Sequence, residues 1–174
     1  MLGFNARIDG RVPEAEEYFR LAYQDSPRNF HAARELASLC LIRGNHDDAE
    51  KFAREAFEIA QDNAYILDIL LSVLIRSDRS RVKHAEPEIE TLFERLKQAG
   101  EEHGRSFYAT RRAEYELRWG SVDDACKLID EAVKQSPGNF NVHALRAEIY
   151  LERGNNATAW QEIRELHNIV SKLF

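Results

Sequence analysis

The fold is decided by residues 119–154, which read WGSVDDACKLIDEAVKQSPGNFNVHALRAEIYLERG. Between residues 121 and 135, apolar side chains recur at three- and four-residue spacing, which predicts an amphipathic helix. Ser121 is a suitable N-cap for this helix, and the acidic residues Asp123 and Asp124 favour the positive end of its dipole. The first part of the stretch therefore carries both the periodicity and the start signal of a helix.

A turn and a second helix follow. The Ser-Pro-Gly-Asn segment at 136–139 interrupts the helical pattern, which resumes at Phe140 and continues to Arg153 before Gly154. The stretch is thus a hairpin of two helices joined by a tight turn. One such hairpin cannot bury its own apolar face, so it requires similar neighbours.

The same pattern recurs along the chain at an interval near 34 residues. Glycines and alanines repeat in phase, with intervals of 34, 76 and 34 residues, and 76 corresponds to one repeat of 34 and one of 42. A period of this length with two helices per repeat is typical of α-solenoids. The repeated positions hold Gly10, Gly44, Gly120 and Gly154, and Ala15, Ala49, Ala125 and Ala159.

These repeated residues resemble the tetratricopeptide repeat (TPR) family over nearly the whole chain. A glycine ends the first helix of each repeat, helix A, and an alanine lies in the middle of the second, helix B. A bulky residue, a small residue and a proline follow, as in Ile129, Ala132 and Pro137. The resemblance implies an all-α fold, a right-handed α-solenoid of antiparallel helix hairpins known as the TPR superhelix.

The resemblance divides a single domain, residues 1–174, into about five repeats. Helix A of the first repeat is incomplete and keeps only residues 2–9. Helix A of the third, residues 64–77, is apolar nearly all round, which predicts burial on more than one side. We expect the eight extra residues of the third repeat to form a loop at 78–86, with helix B beginning near Pro87. The repeats are expected at about 1–29, 30–63, 64–105, 106–139 and 140–174.

Neither end of the predicted stack carries the polar capping helix that solenoids normally have. The final residues include apolar Ile169, Leu173 and Phe174. We therefore expect a segment of a longer protein, or alternatively ends that stack on another copy. In either case the C-terminal face is expected to be adhesive, with possible self-association through uncapped ends.

Composition limits the classes of function. The net charge of −6 argues against general binding to nucleic acid or to anionic membranes. Cys40 and Cys126 lie on apolar helix faces without metal-ligand spacing, so we interpret them as reduced core thiols. There is neither a signal peptide nor an apolar run long enough to span a bilayer, and we expect a cytoplasmic location.

No motif of catalysis is present in the sequence. It has no glycine-rich phosphate loop, no nucleophile elbow and no histidine pair at ligand spacing. Acidic pairs such as Asp47-Asp48 lie at helix starts, where they stabilise the helix dipole. The sequence therefore predicts a protein that is not an enzyme and has no catalytic, cofactor or metal site.

The TPR resemblance implies a partner peptide or protein bound in the concave groove lined by the A helices. Tyr65 and Phe107 are its candidate aromatic anchors, although either could instead pack on the adjacent repeat. The Lys and Asn clamp of TPR domains that grip a C-terminal carboxylate is absent, which argues against a chaperone tail as ligand. The candidate groove residues are Arg34, Ser38, Tyr65, Asp68, Ile69, Arg76, Phe107, Arg111, Glu114 and Arg118.

A basic cluster follows helix A of the third repeat. Arg79, Arg81 and Lys83 are opposed there by Asp78 alone. Guanidinium groups match carboxylate and phosphate geometry, so the segment is a possible acidic-ligand loop. The alternative is a solvated loop that binds nothing.

Three functions remain open at this point. The first is a protein–protein interaction scaffold that holds a partner peptide or a neighbouring domain. The second is a regulatory or sensor arm of a larger multidomain signalling enzyme such as an ATPase. The third is an RNA-binding helical repeat, which steep salt dependence of binding would reveal and which the acidic balance disfavours.

The repeat register makes a direct prediction about Ala125. Because Ala125 and Ala159 should lie where helices cross closely, Ala125→Leu should overpack the hairpin and cost about 1–3 kcal/mol. The thermal midpoint, followed by circular dichroism, should fall. An unchanged midpoint would show that the repeat register is wrong.

Overall fold

The computed structural model describes residues 11–99 and 102–171, and over these ranges it contains helices and no strand. The predicted all-α fold is therefore confirmed. Helix A of the first repeat, expected at 2–9, lies outside the described residues. In chain order the helices are α1 (Val12–Asp25), α2 (Phe30–Ile42), α3 (His46–Ile59), α4 (Ala64–Ile75), α5 (Arg79–Gln98), α6 (Glu102–Trp119), α7 (Val122–Gln135), α8 (Phe140–Glu152) and α9 (Asn156–Ser171).

Short polar side chains start several of these helices. The Asn29 side chain accepts a hydrogen bond from the Ala32 amide at 3.1 Å. The Ser121 hydroxyl accepts one from the Asp124 amide at 3.5 Å, so the predicted N-cap of α7 is confirmed. Each bond satisfies a backbone donor that has no partner within its helix.

Glycines form the turns between α2 and α3 and between α8 and α9. Gly44 and Gly154 have φ values of 75° and 78°. Residues with a side chain avoid this left-handed conformation, whereas glycine adopts it without steric cost. The conformation ends helix A and lets helix B begin within three residues.

The chain forms two compact units, Met1–Leu92 and Phe93–Phe174, with the boundary inside α5. In the first unit, helices adjacent in sequence pack against each other from α1 to α4, and the A helices α2 and α4 also contact each other directly. The apolar residues of α4 are almost all buried, among them Ile66, Leu67 and Leu70. The predicted burial of this helix on more than one side is confirmed.

The second unit repeats the arrangement. Helices α6 to α9 pack in sequence order, and the A helices α6 and α8 are again in direct contact. Ala125 and Ala159 have no exposed surface, as the repeat register predicts, and Ile129 is buried beside them in the same core. Small residues at these positions let helix axes approach closely.

The predicted loop at 78–86 is wrong. Helix α5 begins at Arg79 and continues through Pro87 to Gln98, so the extra residues lengthen helix B of the third repeat. An Asp78 carboxylate oxygen accepts hydrogen bonds from the amides of Ser80 at 2.9 Å and Arg81 at 3.1 Å, which starts the helix early. Val82 and Ile89, seven residues apart, are both buried on one side of it. This continuous apolar stripe outweighs the missing amide hydrogen of Pro87.

The apolar C-terminal residues, expected to form an adhesive face, lie partly outside the described residues. Ile169 is half-buried on α9, and Leu173 and Phe174 lie outside the described residues. None of the helices in the described ranges is long and apolar enough to cross a membrane.

A hydrogen bond between two B helices makes the first unit sensitive to alkaline pH. The Tyr23 hydroxyl on α1 donates to a Glu55 carboxylate oxygen on α3 at 2.6 Å. This bond, together with burial and the negative charge of Glu55, raises the pKa of Tyr23 to about 12. The folded chain therefore retains the phenolic proton at pH values where an unfolded tyrosine, with a pKa of about 10, releases it.

The stabilising effect of Tyr23 should be complete below about pH 10 and lost as pH rises towards about 12. The free energy of unfolding in urea, measured for the unaltered chain and for Tyr23→Phe at about pH 9 and about pH 11.5, tests this. The difference between the two proteins should shrink at the higher pH. Tyr18→Phe, which removes an exposed phenol from the same helix, is the control for general effects of alkaline pH. A constant difference would contradict the role given to the Glu55 bond.

Candidate functional site

The first candidate surface is the contact between the A helices α2 and α4. We call it the first A-helix face and define it by Arg34, Ser38, Tyr65, Asp68 and Ile69. The Arg34 guanidinium lies 5.4 Å from the centre of the Tyr65 ring, within range of a cation–π interaction. Arg34 is in turn ion-paired with the buried carboxylate of Glu35. Two predicted groove residues are thus brought together, and the tyrosine ring is held in place from one side.

Tyr65 remains 43% exposed while making this contact. Ser38, Asp68 and Ile69 are partly buried, and Arg76 is exposed at the C-terminal end of α4. An aromatic ring that is held by a neighbouring guanidinium and still partly exposed resembles the anchors of protein interfaces.

Sequence reasoning missed one residue of α2. Ile42, at the end of the helix, is strongly exposed. It follows Arg34 and Ser38 at intervals of four residues, so helical spacing would have placed it on the same face. An exposed isoleucine extends the apolar character of the first A-helix face.

The second A-helix face lies in the second unit, where α6 meets α8. We define it by Phe107, Arg111, Glu114 and Arg118 of α6. The Glu114 side chain is only 1% exposed. One of its carboxylate oxygens pairs with Arg111 at 2.7 Å and the other with Arg118 at 3.4 Å. Glu114, predicted to contact a partner, instead holds two predicted arginines in position. Phe107 is partly buried on the same helix.

An unpredicted aromatic cluster lies next to this helix. The Arg112 guanidinium lies 5.0 Å from the centre of the Phe93 ring and 5.2 Å from that of Tyr115. The two rings meet edge to face with their centres 5.9 Å apart, and Arg112 also pairs with Glu116 at 3.1 Å. The four-residue spacing of Arg112 and Glu116 could have indicated their ion pair from the sequence. These contacts give α6 a fixed orientation in its unit.

A partly buried polar network joins α7, α8 and α9. Glu162 on α9 lies 2.6 Å from one ring nitrogen of His143, and the Pro137 carbonyl lies 2.8 Å from the other. Arg146 pairs both with Glu162 and, at 2.7 Å, with Asp130. Both ring nitrogens of His143 are therefore engaged within the chain, and the ring acts in packing.

Asp130 on α7 also accepts a hydrogen bond from the Tyr150 hydroxyl at 2.9 Å. Burial, followed by this hydrogen bond, raises the pKa of Tyr150 above the ordinary value. Every charged member of the network therefore meets a group of opposite charge or a hydrogen-bonding partner. The network is structural in character.

The basic residues at 79–83 lie on α5 and not in a loop. Arg79 and Lys83 are exposed. Arg81 pairs with Asp47 on α3 at 2.7 Å and with Asp78 at 3.5 Å, and the hydrogen bond to Asp47 is the main reason that its pKa is raised. One of the three predicted acidic-ligand residues is thus already engaged by carboxylates of the chain.

A cleft of about 720 Å³ lies beside Arg81 in the first unit. Side chains of opposite charge line this cleft and pair with each other. Arg54 donates two hydrogen bonds to Glu88, at 2.7 and 3.0 Å, and one to Glu50, at 2.8 Å. The pairs Asp47–Arg81 and Arg54–Glu88 are each separated by 34 residues. The repeat period of 34 residues could therefore have indicated both pairs from the sequence. Paired charges of this kind join consecutive B helices and leave little net charge for an anionic ligand.

The two cysteines are buried and free of disulfides. Burial is the largest cause of the raised pKa of both the Cys40 and the Cys126 thiol. A raised pKa lowers the fraction of reactive thiolate. In the described ranges, no group of three or more His, Cys, Asp or Glu side chains is arranged to hold a metal ion.

The helix pairs, the period and the direct contacts between A helices agree with two family comparisons. Family profiles described as tetratricopeptide repeat match residues 6–70 and 110–166, which together make up more than half of the chain. The chain belongs to the TPR family. Comparison with curated protein sequences returned no match.

Solved TPR structures resemble this chain over almost its whole length. TTC0263, a thermophilic TPR protein of Thermus thermophilus, matches with a TM-score of 0.79 and 17% identity, over 99% of this chain and 93% of its own. PilW, a widely conserved type IV pilus biogenesis factor, matches with a TM-score of 0.70 and 16% identity, over 98% and 75%. MamA matches with a TM-score of 0.53 and 15% identity, over 99% and 96%. At these identities the similarity concerns the fold alone.

Glu114 should contribute strongly to stability because it is the shared counter-charge of two arginines. Glu114→Gln keeps the shape of the side chain but removes its charge, and we expect a loss of about 2 kcal/mol in the free energy of unfolding. Glu148→Gln, at an exposed position of α8, is the matched control and should change stability by less than about 0.5 kcal/mol. Equal urea midpoints for the two variants would contradict the role assigned to Glu114.

Proposed function

We propose that this TPR chain is a non-enzymatic interaction module that binds a segment of a protein partner on its A-helix faces. Protein–protein interaction is typical of this fold. The observation that supports the proposal best is the half-exposed Tyr65 ring, braced by Arg34 where α2 and α4 meet. A ring that is already held in place loses little side-chain entropy when a partner covers it.

The first A-helix face suits a short extended peptide. Helix α4 has 12 residues, so it is about 18 Å long. About five residues of extended chain span that length. Tyr65 at the N-terminal end of α4 would receive an apolar side chain of the partner. Arg76 at the other end would meet an acidic one.

The second A-helix face suits an acidic partner segment. Arg118 pairs with the buried carboxylate of Glu114 and is nevertheless exposed, so its guanidinium is held in place within reach of a partner. Held guanidinium groups bind carboxylates with less loss of entropy than mobile ones. Phe107 is proposed as the apolar contact on this face, as the sequence suggested.

Two further expectations are RNA binding through the basic segment and a cytoplasmic location. Binding of RNA through the 79–83 segment is less well supported, because Arg81 is paired with Asp47 and Asp78. A cytoplasmic location belongs to the proposal, and two buried, unpaired cysteines support it.

Peptide selection followed by mutation tests the proposal. Peptides selected from a random phage-displayed library on the intact chain would be measured for their Kd with the unaltered chain and with variants. Tyr65→Ala should weaken binding to the first A-helix face at least about tenfold, because truncation of a central aromatic anchor typically costs 2 kcal/mol or more. Phe107→Ala should do the same for peptides that bind the second face.

The matched control is Tyr18→Ala, which removes a ring of similar exposure from the B helix α1. It should leave the Kd unchanged, and circular dichroism should show the same helix content for every variant. If selected peptides bind both aromatic variants as tightly as the unaltered chain, the A-helix faces are not the binding site.

A further inference from the structure

Ile42 offers a second apolar contact besides Tyr65. It is 74% exposed at the end of α2. Helix α2 is already in contact with α1, α3 and α4, so this exposure is not that of a helix that lacks neighbours. An apolar side chain is stabilised when a partner removes its surface from water. The first A-helix face therefore has an apolar residue near each of two opposite corners.

The repeat register gives the distance between these two side chains. Ile42 and Arg76 are 34 residues apart, so they occupy equivalent positions on the A helices α2 and α4, which run in the same direction. Tyr65 lies 11 residues before Arg76, which is three turns and about 17 Å along the axis of α4. Axes of packed helices are about 9 Å apart. The Tyr65 and Ile42 positions are thus about 19 Å apart, on a diagonal across the face.

Polar side chains occupy the face between the two apolar corners. Ser38 and Asp68 lie between Tyr65 and Ile42 along the helix axes, and both are partly buried. The Ser38 hydroxyl makes no hydrogen bond to the part of the chain that the structure describes. An extended peptide presents N–H and C=O groups that need partners, whereas those of a helix are bonded to each other. The polar middle of the face therefore favours an extended peptide over a helix.

We propose that the first A-helix face selects an extended peptide with two apolar side chains six positions apart, one on Tyr65 and one on Ile42. An extended chain rises about 3.3 Å per residue, so about 19 Å corresponds to about six residues. Because six is an even number, both side chains point to the same side of the strand. The inference rests on the proposed function, since it names the ligand of the same surface.

Arg76 adds a charge to this motif. It is exposed at the end of α4, level with Ile42 on the neighbouring helix. The peptide residue two positions from the Ile42 contact, on the side towards Tyr65, points to the same face and comes nearest to the Arg76 side chain. A carboxylate at that position pairs with the guanidinium. The ligand is thus a seven-residue segment with an apolar residue at each end and an acidic residue two positions from one of them.

Two designed peptides test the motif, one for each direction of the backbone. They are Leu-Thr-Ser-Thr-Glu-Thr-Leu and the reversed order Leu-Thr-Glu-Thr-Ser-Thr-Leu, each between glycine linkers. A spacing control lacks one threonine, which puts the leucines five positions apart and on opposite sides of the strand. A single-anchor control has serine in place of the leucine nearer the glutamate. Fluorescence anisotropy of the labelled peptides gives each Kd with the intact chain.

One of the two peptides should bind at least about tenfold more tightly than its spacing control. Ile42→Ser should weaken binding of that peptide about tenfold and leave the Kd of the single-anchor control unchanged. Leu151→Ser, which removes a 50% exposed leucine from the A helix α8, is the matched variant and should change neither Kd. Glutamine in place of the peptide's glutamate should cost about threefold with the unaltered chain and nothing with Arg76→Gln.

Several results would overturn the inference. They are absence of binding by both peptides, equal binding of the spacing control, or an effect of Ile42→Ser no larger than that of Leu151→Ser at unchanged helix content. The proposed function is judged separately, by library-selected peptides and Tyr65→Ala. If Tyr65→Ala weakens their binding while the designed motif fails, only the motif is rejected.

Discussion

The whole arrangement depends on the close packing of helices at alanines that have no exposed surface. Ala49, Ala125 and Ala159 occupy the same place in helix B of three repeats. An alanine side chain has no heavy atom beyond Cβ, so two helix axes can approach there, and larger residues such as Ile129 fill the space beside the contact. Within each unit the A helices also meet directly, α2 with α4 and α6 with α8. The A-helix faces exist only as a consequence of it.

Paired charges have a different role from the apolar core. Arg54–Glu88 and Asp130–Arg146 each join one repeat to the next, but their side chains are partly exposed. Partly exposed pairs contribute little net stability, since solvation of the separate ions offsets their attraction. Their geometry nevertheless restricts how one hairpin can sit on another.

Much of the fold could be predicted from short-range sequence patterns. The prediction failed where residues distant in the sequence determine the extent of a helix or the contacts of a side chain. Helix spacing and the Ser121 cap predicted α7, and continuous apolar composition predicted the burial of α4. The predicted start of α5 was wrong because a proline such as Pro87 is typical of the first turn of a helix. The Asp78 cap and the packing of Val82 and Ile89 on one stripe keep the helix continuous from Arg79. In the candidate site, the sequence identified Arg34 and Tyr65 separately but could not show that they touch.

The sequence by itself determined that this chain is a series of helix hairpins of the TPR type. Caps, turns and apolar spacing act within one helix or one hairpin, so they can be read residue by residue. Only the tertiary structure decided the state of the polar and aromatic side chains. Glu114 is buried beneath two arginines, Arg81 is bound to Asp47, and Trp160 is left open to solvent. The physical reason is that each of these states depends on which residues of other helices come within a few ångströms, and that is set by packing.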